Sequence, residues 1–167
     1  FPFAPVWIMP SIGSYFGGDL ISGILATGLD EMENISMLID VGTNAEVVLG
    51  NREWLIACAG AAGPALEGGV ARMGMRAGPG AVEHVTINRI TWQLFCPTID
   101  QAPAEGICGS GLIDLVAELY LARIVDFRGK FRRPGETASA EQQEFLRQRL
   151  VSGPNGTQFI VVPARET

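Results

Sequence analysis

The sequence predicts an α/β fold, a mixed sheet with flanking helices, on three observations. Of its 167 residues 47% are hydrophobic, enough to bury the core of one domain or of one lobe of a larger one. Three strand-like runs, MLID, AEVVLG and WLIACA, follow one another between short turns rich in Gly and Asn. Apolar residues at helical spacing stand before and after that block.

Taken in order, Leu20, Ile21, Ile24 and Leu25 predict a helix from Gly18 to Gly28, with Asp19 capping its start and Gly28 ending it in a left-handed conformation. Strands follow at Met37–Asp40, Ala45–Gly50 and Trp54–Ala59, turning at Gly42–Asn44 and Gly50–Arg52, which makes a three-stranded meander. In GPALEGGVARMGM, Pro64 suits a first helical turn and Leu66, Val70 and Met73 share a face, so a short helix is expected there. Gly68 and Gly69 weaken it by roughly 1 kcal/mol each. Val85 with Ile87, then Ile90, Trp92 and Leu94, alternate with polar residues as two half-buried strands around a hairpin at Asn88 and Arg89. After GICGSG, from Gly106 to Gly111, residues Leu112, Leu115, Val116, Leu119 and Tyr120 mark an amphipathic helix. Ser139 and Gln142 form a capping box for a last helix containing Phe145, Leu146 and Leu150, and the turn SGPNG leads into a final strand in FIVVP. The chain opens at Phe1 in mid-pattern and closes on ARET, so one partial domain over 1–167 is expected, a piece of a larger domain.

Composition narrows the function. A net charge of -6 opposes a polyanion, so nucleic acid is not expected as a partner, and the basic cluster Arg123, Arg128, Lys130, Arg132 and Arg133 is too local to reverse it. That cluster reads as a solvated turn or as a patch for an acidic protein. Apolar stretches are interrupted well short of the ~20 residues of a membrane helix, so no membrane partner is expected. Cys58, Cys96 and Cys108 are odd in number and widely spaced, which suggests neither disulfides nor a metal centre and fits a reducing cytoplasm.

The sharpest chemical feature is LIDVGTNAEVVLG. A strand carries Asp40 to its end, and the chain then turns through Gly42, Thr43 and Asn44. Without a Cβ, Gly42 admits phosphate oxygens to backbone N–H groups; Thr43 can donate its hydroxyl, and Asp40 can hold Mg²⁺ through water. An ordinary hairpin explains the same residues, because Asp and Gly are common turn formers. In GICGSG, the N–H groups of Gly109, Ser110 and Gly111 can meet an anion at a helix start, or the segment is a tight connection with Ser110 as cap. Glu67 and Asp19 are secondary candidates, each better explained as a surface or capping group than as a ligand. GxGxxG is absent, the only lysine, Lys130, lies outside any P-loop pattern, and a lone His84 cannot build a multi-histidine metal site, leaving it a strand or loop residue.

The order of segments carries more than any one of them. IGSYFGGDLISGILATG, LIDVGTNAEVVLGN, AAGPALEGG, GMRAGPGA and GICGSGLID occur in the sequence that typifies the C-terminal ATPase-like domain of the iron–sulfur reductive activators of corrinoid proteins. The chain resembles that family from about Pro10 to Gly129 and more loosely to Pro163. The resemblance implies an RNase H-like lobe of the actin, sugar-kinase and heat-shock ATPase superfamily. Asp40, Gly42, Thr43 and Asn44 would then be its second phosphate loop.

It further implies ATP and Mg as cofactors of a longer protein, an iron–sulfur cluster in a separate domain absent here, and a corrinoid protein of a methyltransferase system as partner. Ala59 and Gly60 stand where hydroxyl residues are expected in many relatives. The alternative is a nucleotide-regulated, chaperone-like or scaffold module of the same superfamily without redox chemistry. Three expectations follow: an antiparallel hairpin over Leu38–Gly50, weakened Mg-ATP dependence in Asp40→Ala, and weak ATP binding by this chain alone, because nucleotides in the superfamily lie between two lobes.

Overall fold

The computed structural model describes residues 2–13, 15–69, 71–132, 139–154 and 156–164. It divides the chain into two compact units, Phe1–Ala65 and Leu66–Thr167. Each unit has its own apolar cluster.

The first unit contains helix α1, Gly18–Thr27, and strands β1, Ser36–Val41, β2, Asn44–Asn51, and β3, Trp54–Ala61. Gly28 ends α1 at φ +66°, its N–H reaching the carbonyls of Ile24 and Leu25. Gly17, rather than Asp19, takes the N-cap position in extended backbone. Asp19 lies in the first turn, where its charge suits the helix dipole, and its Oδ1 accepts from Leu20 N at 2.9 Å. Leu20 and Ile24 pack with Leu29, Leu38 and Val48.

The strands form the expected meander, antiparallel in the order β1-β2-β3, with Leu38 opposite Val48 and Val48 opposite Ala57. The second reversal is tighter than expected. Arg52 and Glu53 make it, Asn51 Oδ1 accepts from Glu53 N at 3.0 Å, and Gly50 stays inside β2. Gly50 is needed at φ +154°, because a Cβ would run into the Trp54 carbonyl oxygen.

In the second unit β4, Ala81–Val82, pairs in parallel with β7, Gly106–Ile107. Strands β5, Thr86–Asn88, and β6, Gln93–Phe95, form a hairpin where one was expected, but its turn is longer. Ile90 and Trp92, expected on the second strand, lie in the turn, where Asn88 Oδ1 accepts from Ile90 N and Thr91 N. Helices α2, Gly109–Leu121, and α3, Ala140–Arg149, are followed by the hairpin of β8, Leu150–Gly153, and β9, Gly156–Phe159. Parallel and antiparallel pairs both occur, in separate small sheets.

Leu115, Leu119, Val82, Ile87, Ile107 and Phe145 lie in one core. Phe145 sits between Trp92 and Phe159, with ring centroids 5.6 and 6.0 Å away. Of the apolar face expected on α2, Leu115 and Leu119 are buried, whereas Val116 and Tyr120 are exposed.

Further local expectations fail. No α-helix forms over Leu66–Met73 among the described residues. Instead Met75 N and Ile107 N bond to the carbonyls of Ile107 and Met73, and Gly74 closes so tightly that a Cβ there would strike the Leu66 carbonyl oxygen. Leu150 leaves α3 to begin β8, and the final strand ends at Phe159 rather than running through FIVVP. Cys108, rather than Ser110, is the N-cap of α2. Ser14, Val70, Arg133, Asn155 and Arg165–Thr167, on which parts of these expectations fall, lie outside the described residues.

Candidate functional site

The first unit brings Asp40, Gly42, Thr43 and Asn44 together in one hairpin. β1 runs through Asp40 to Val41, the chain turns at Gly42 and Thr43, and β2 starts at Asn44, with Gly42 N donating to Asn44 O at 2.8 Å. Asp40, Gly42 and Thr43 are exposed. A Cβ added at Gly42 would meet only Asn44 O, at 4.0 Å. The fold therefore does not demand glycine at this position, and the space before the loop backbone is open to a ligand.

Asp40 lies directly opposite Glu46 in the strand register, so the two carboxylates share one face. Like charges so placed repel across a sheet, and a bound cation would relieve that repulsion. Sequence reasoning missed Glu46; its signal was the spacing, one residue past the Val41–Ala45 pair that closes a three-residue turn. Beside Asn44 lies a hollow of about 230 Å³ lined by Tyr15, Asn44, Ala59, Gly60 and Ala61. It is smaller than the roughly 300–1,000 Å³ of ordinary ligand sites, and its wall carries methyl and backbone groups where hydroxyls were expected. Asp19, the remaining candidate of this unit, turns its carboxylate back on the first turn of α1.

The second unit brings together Glu67, Gly109, Ser110 and Gly111. A Cβ at Gly109 would lie 3.5 Å from Glu67 Oε1, so that carboxylate stands at the start of α2. The position an external anion would take at this helix start is thus next to the chain's own negative charge. Ser110 Oγ donates to Glu83 O at 2.9 Å. Gly111 is where α2 meets β4 backbone to backbone, since a Cβ there would strike the Val82 carbonyl oxygen.

Asp114 and Glu118, further along α2, hold strand β5. Asp114 Oδ2 stands 3.0 Å from His84 Nδ1, and Glu118 Oε2 accepts from Ile87 N at 3.1 Å. His84 therefore serves as a loop residue beside α2. A hollow of about 410 Å³ in this unit is walled by Met73, Val82, Ile107, Leu115 and Phe159, with Arg72 and Glu105 its charged members.

Among the described residues no three His, Cys, Asp or Glu side chains are grouped closely enough to hold a metal ion. Nor is any helix there long and apolar enough to cross a membrane. Cys58 is exposed, Cys96 half-buried and Cys108 buried, which is not a donor set for an iron–sulfur cluster.

Comparison with known proteins gives a consistent picture. A family model for the C-terminal domain of RACo, the ASKHA domain, matches residues 34–164. The chain is 36% identical over 132 residues to the corrinoid activation enzyme RamQ of Eubacterium limosum, covering 78% of this chain and 21% of that protein. It is 34% identical over 88 residues to a [Co(II) methylated amine-specific corrinoid protein] reductase of Methanosarcina barkeri, covering 53% of this chain and 16% of that one. A solved structure titled reductive activator for corrinoid,iron-sulfur protein superposes with a TM-score of 0.60 at 43% identity, over 97% of this chain and 24% of that one. The chain spans about a fifth of the length of these curated relatives.

Proposed function

The chain belongs to the family of the C-terminal, ASKHA domain of RACo, and on that premise we propose that it is part of an ATP-dependent reductive activator of a corrinoid protein, contributing the second phosphate loop of the nucleotide site. The observation that carries this reading is the open Gly42 turn, where a Cβ would touch nothing closer than 4.0 Å, next to the facing carboxylates of Asp40 and Glu46. A glycine that packing does not require, beside an unrelieved carboxylate pair, fits a loop shaped for Mg-bound phosphate.

Bound Mg-ATP would supply the free energy of its binding and hydrolysis to an otherwise uphill reduction. The chain's own residues do the holding. The Gly42 N–H is already given to the Asn44 carbonyl, so in this reading the exposed Thr43 offers its hydroxyl to a phosphate oxygen, and Asp40 with Glu46 can orient waters of a hydrated cation. In the second cluster Ser110 is engaged by the Glu83 carbonyl, Gly111 by its packing on β4, and Gly109 is buried beneath Glu67, so this reading places the phosphate contact on the Gly42 hairpin. The cysteines do not fit an iron–sulfur cluster, so the electron is delivered from elsewhere in the longer protein. Its setting in this reading is the cytoplasm and a corrinoid-dependent methyltransferase system.

The test uses the full-length protein with its corrinoid partner, following Co(II) loss by absorbance as Mg-ATP is varied. Asp40→Ala and Gly42→Val should each raise the ATP concentration needed for half-maximal rate by about tenfold or more, the scale of one or two lost charge-assisted contacts, while circular dichroism stays unchanged. Unaltered ATP dependence in both variants would remove the hairpin from the nucleotide site. Activation of the corrinoid that needs no nucleotide would overturn the ATP-dependent reading itself.

A further inference from the structure

We propose that the loop from Arg123 to Arg132 is a docking knuckle for an acidic surface of the corrinoid protein, a proposal that rests on the function given above. Within these ten residues stand Arg123, Arg128, Lys130 and Arg132, four of the chain's 12 basic residues, in a chain of net charge -6. All four are exposed. At their centre Phe127 is 78% exposed, and the Arg128 guanidinium lies 5.2 Å from its ring centroid.

The backbone under these side chains is braced, unlike that of a merely solvated turn. Buried Ile124 and Val125 root one limb in the core, and Phe131 packs against the same core from the other. Arg132 N donates to Ile124 O at 2.8 Å, Asp126 N to Lys130 O and Gly129 N to Asp126 O, both at 2.9 Å. Asp126, the only acidic residue in the loop, accepts on Oδ1 from Arg128 N at 2.8 Å and Lys130 N at 2.9 Å. These bonds, the Lys130 one foremost, hold the Asp126 carboxyl below the usual carboxylate range. Gly129 closes the turn at φ +73°.

Arg123 occupies a left-handed position, φ +59°, just past the end of α2, where glycine is the favoured residue. A cation thus stands where backbone conformation alone would select glycine. The result is a rigid tip bearing one exposed aromatic ring among cations, the side-chain mix that dominates protein interfaces, and its bracing leaves little conformational entropy to lose on binding.

Charge complementarity names the occupant. The remainder of the chain is acidic, so an acidic partner is repelled by most of its surface and attracted at this tip, which orients the encounter.

The experiment compares the full-length protein with its R128E/K130E/R132E variant and with Phe127→Ala, all exposed positions, measuring affinity for the corrinoid protein by interferometry at low and at moderate salt. The triple variant should bind about tenfold or more weakly at low salt, with a flatter salt dependence. Phe127→Ala should bind severalfold more weakly at both salts. At saturating corrinoid protein, kcat should be unchanged while KM rises. An R128K/R132K control should keep the wild-type salt slope. Affinity of the triple variant within twofold of wild type at both salts would overturn the docking site. So would wild-type binding to phosphatidylserine vesicles that the triple variant loses while keeping its corrinoid affinity. A wild-type protein that neither binds nor reduces the corrinoid protein would instead overturn the function on which the proposal rests, a failure recognisable without any variant.

Discussion

Gly42 stands in a hairpin turn and Gly111 in the first turn of α2, and their surroundings assign them opposite work. At Gly42 a Cβ enters open space, whereas at Gly111 it strikes the Val82 carbonyl oxygen. Gly111→Ala should therefore destabilise the chain by about 1–3 kcal/mol, the usual cost of overpacking, and Gly42→Ala by under about 1 kcal/mol, both read from urea denaturation midpoints. Equal losses at the two sites would show that the hairpin glycine is structural. Glu46 offers a complementary test, since the Asp40–Glu46 pair repels across the strands. Glu46→Gln should stabilise the metal-free chain by roughly 0.5 kcal/mol and narrow any gain conferred by added Mg²⁺. Sequence patterning gave access to Asp40, Gly42, Thr43 and Asn44 because strand alternation and a turn residue are local signals. It missed Glu46 because cross-strand register is set by the closed hairpin.

The same division between local and long-range signals governs whole elements. α1 with its Gly28 terminus, the meander and the β5–β6 hairpin were legible because each is specified by a short periodic run and an adjacent turn. The helix expected over Leu66–Met73 was overridden by a partner far along the chain, since Gly74 pairs with Ile107. Helix α3 carries two checkable consequences. Ser139 Oγ accepts from Gln142 N at 3.1 Å, so Ser139→Ala should cost about 1 kcal/mol in thermal unfolding. Glu144 is lowered to about 2, first by its hydrogen bond with Arg147 and then by that with Gln148. A carboxylate with a folded pKa below its unfolded one stabilises fully above the unfolded value, near 4.5, and loses that contribution as pH falls toward 2. The pair is exposed, so the effect is small and salt-sensitive. It should be read directly as a side-chain carboxyl NMR titration with its midpoint near 2, moving upward in Arg147→Ala.

At the scale of the molecule, the chain supplies an exposed hairpin, proposed above to hold phosphate, and a hollow of about 230 Å³ beside it. Sites that hold a small molecule well bury ~70% or more of it, and this one leaves most of ATP in water, where charge–charge attraction is strongly screened. Calorimetry of the isolated chain with Mg-ATP should find binding weaker than micromolar, short of the about -8 kcal/mol that a micromolar constant represents. Micromolar or tighter binding would mean that the hairpin is not the only nucleotide contact. The ASKHA fold was legible from five ordered segments. Its division into two units was not, because strand pairing over long separations leaves no periodic trace in the chain.

The β1-β2-β3 sheet has a further consequence for handling. Every residue of β3 is exposed, Met37, Ile39, Val41, Leu49 and Ile56 show on the sheet, and among the described residues the outer edges of β1 and β3 pair with no other strand. WLIACAGA lacks both charge and proline, the composition of a segment that stacks with copies of itself. Solutions of the isolated chain should develop thioflavin-T fluorescence after a lag that shortens with concentration, and Ile56→Lys should lengthen that lag without altering the melting temperature. Producing this piece by itself therefore calls for a gatekeeper charge on its third strand.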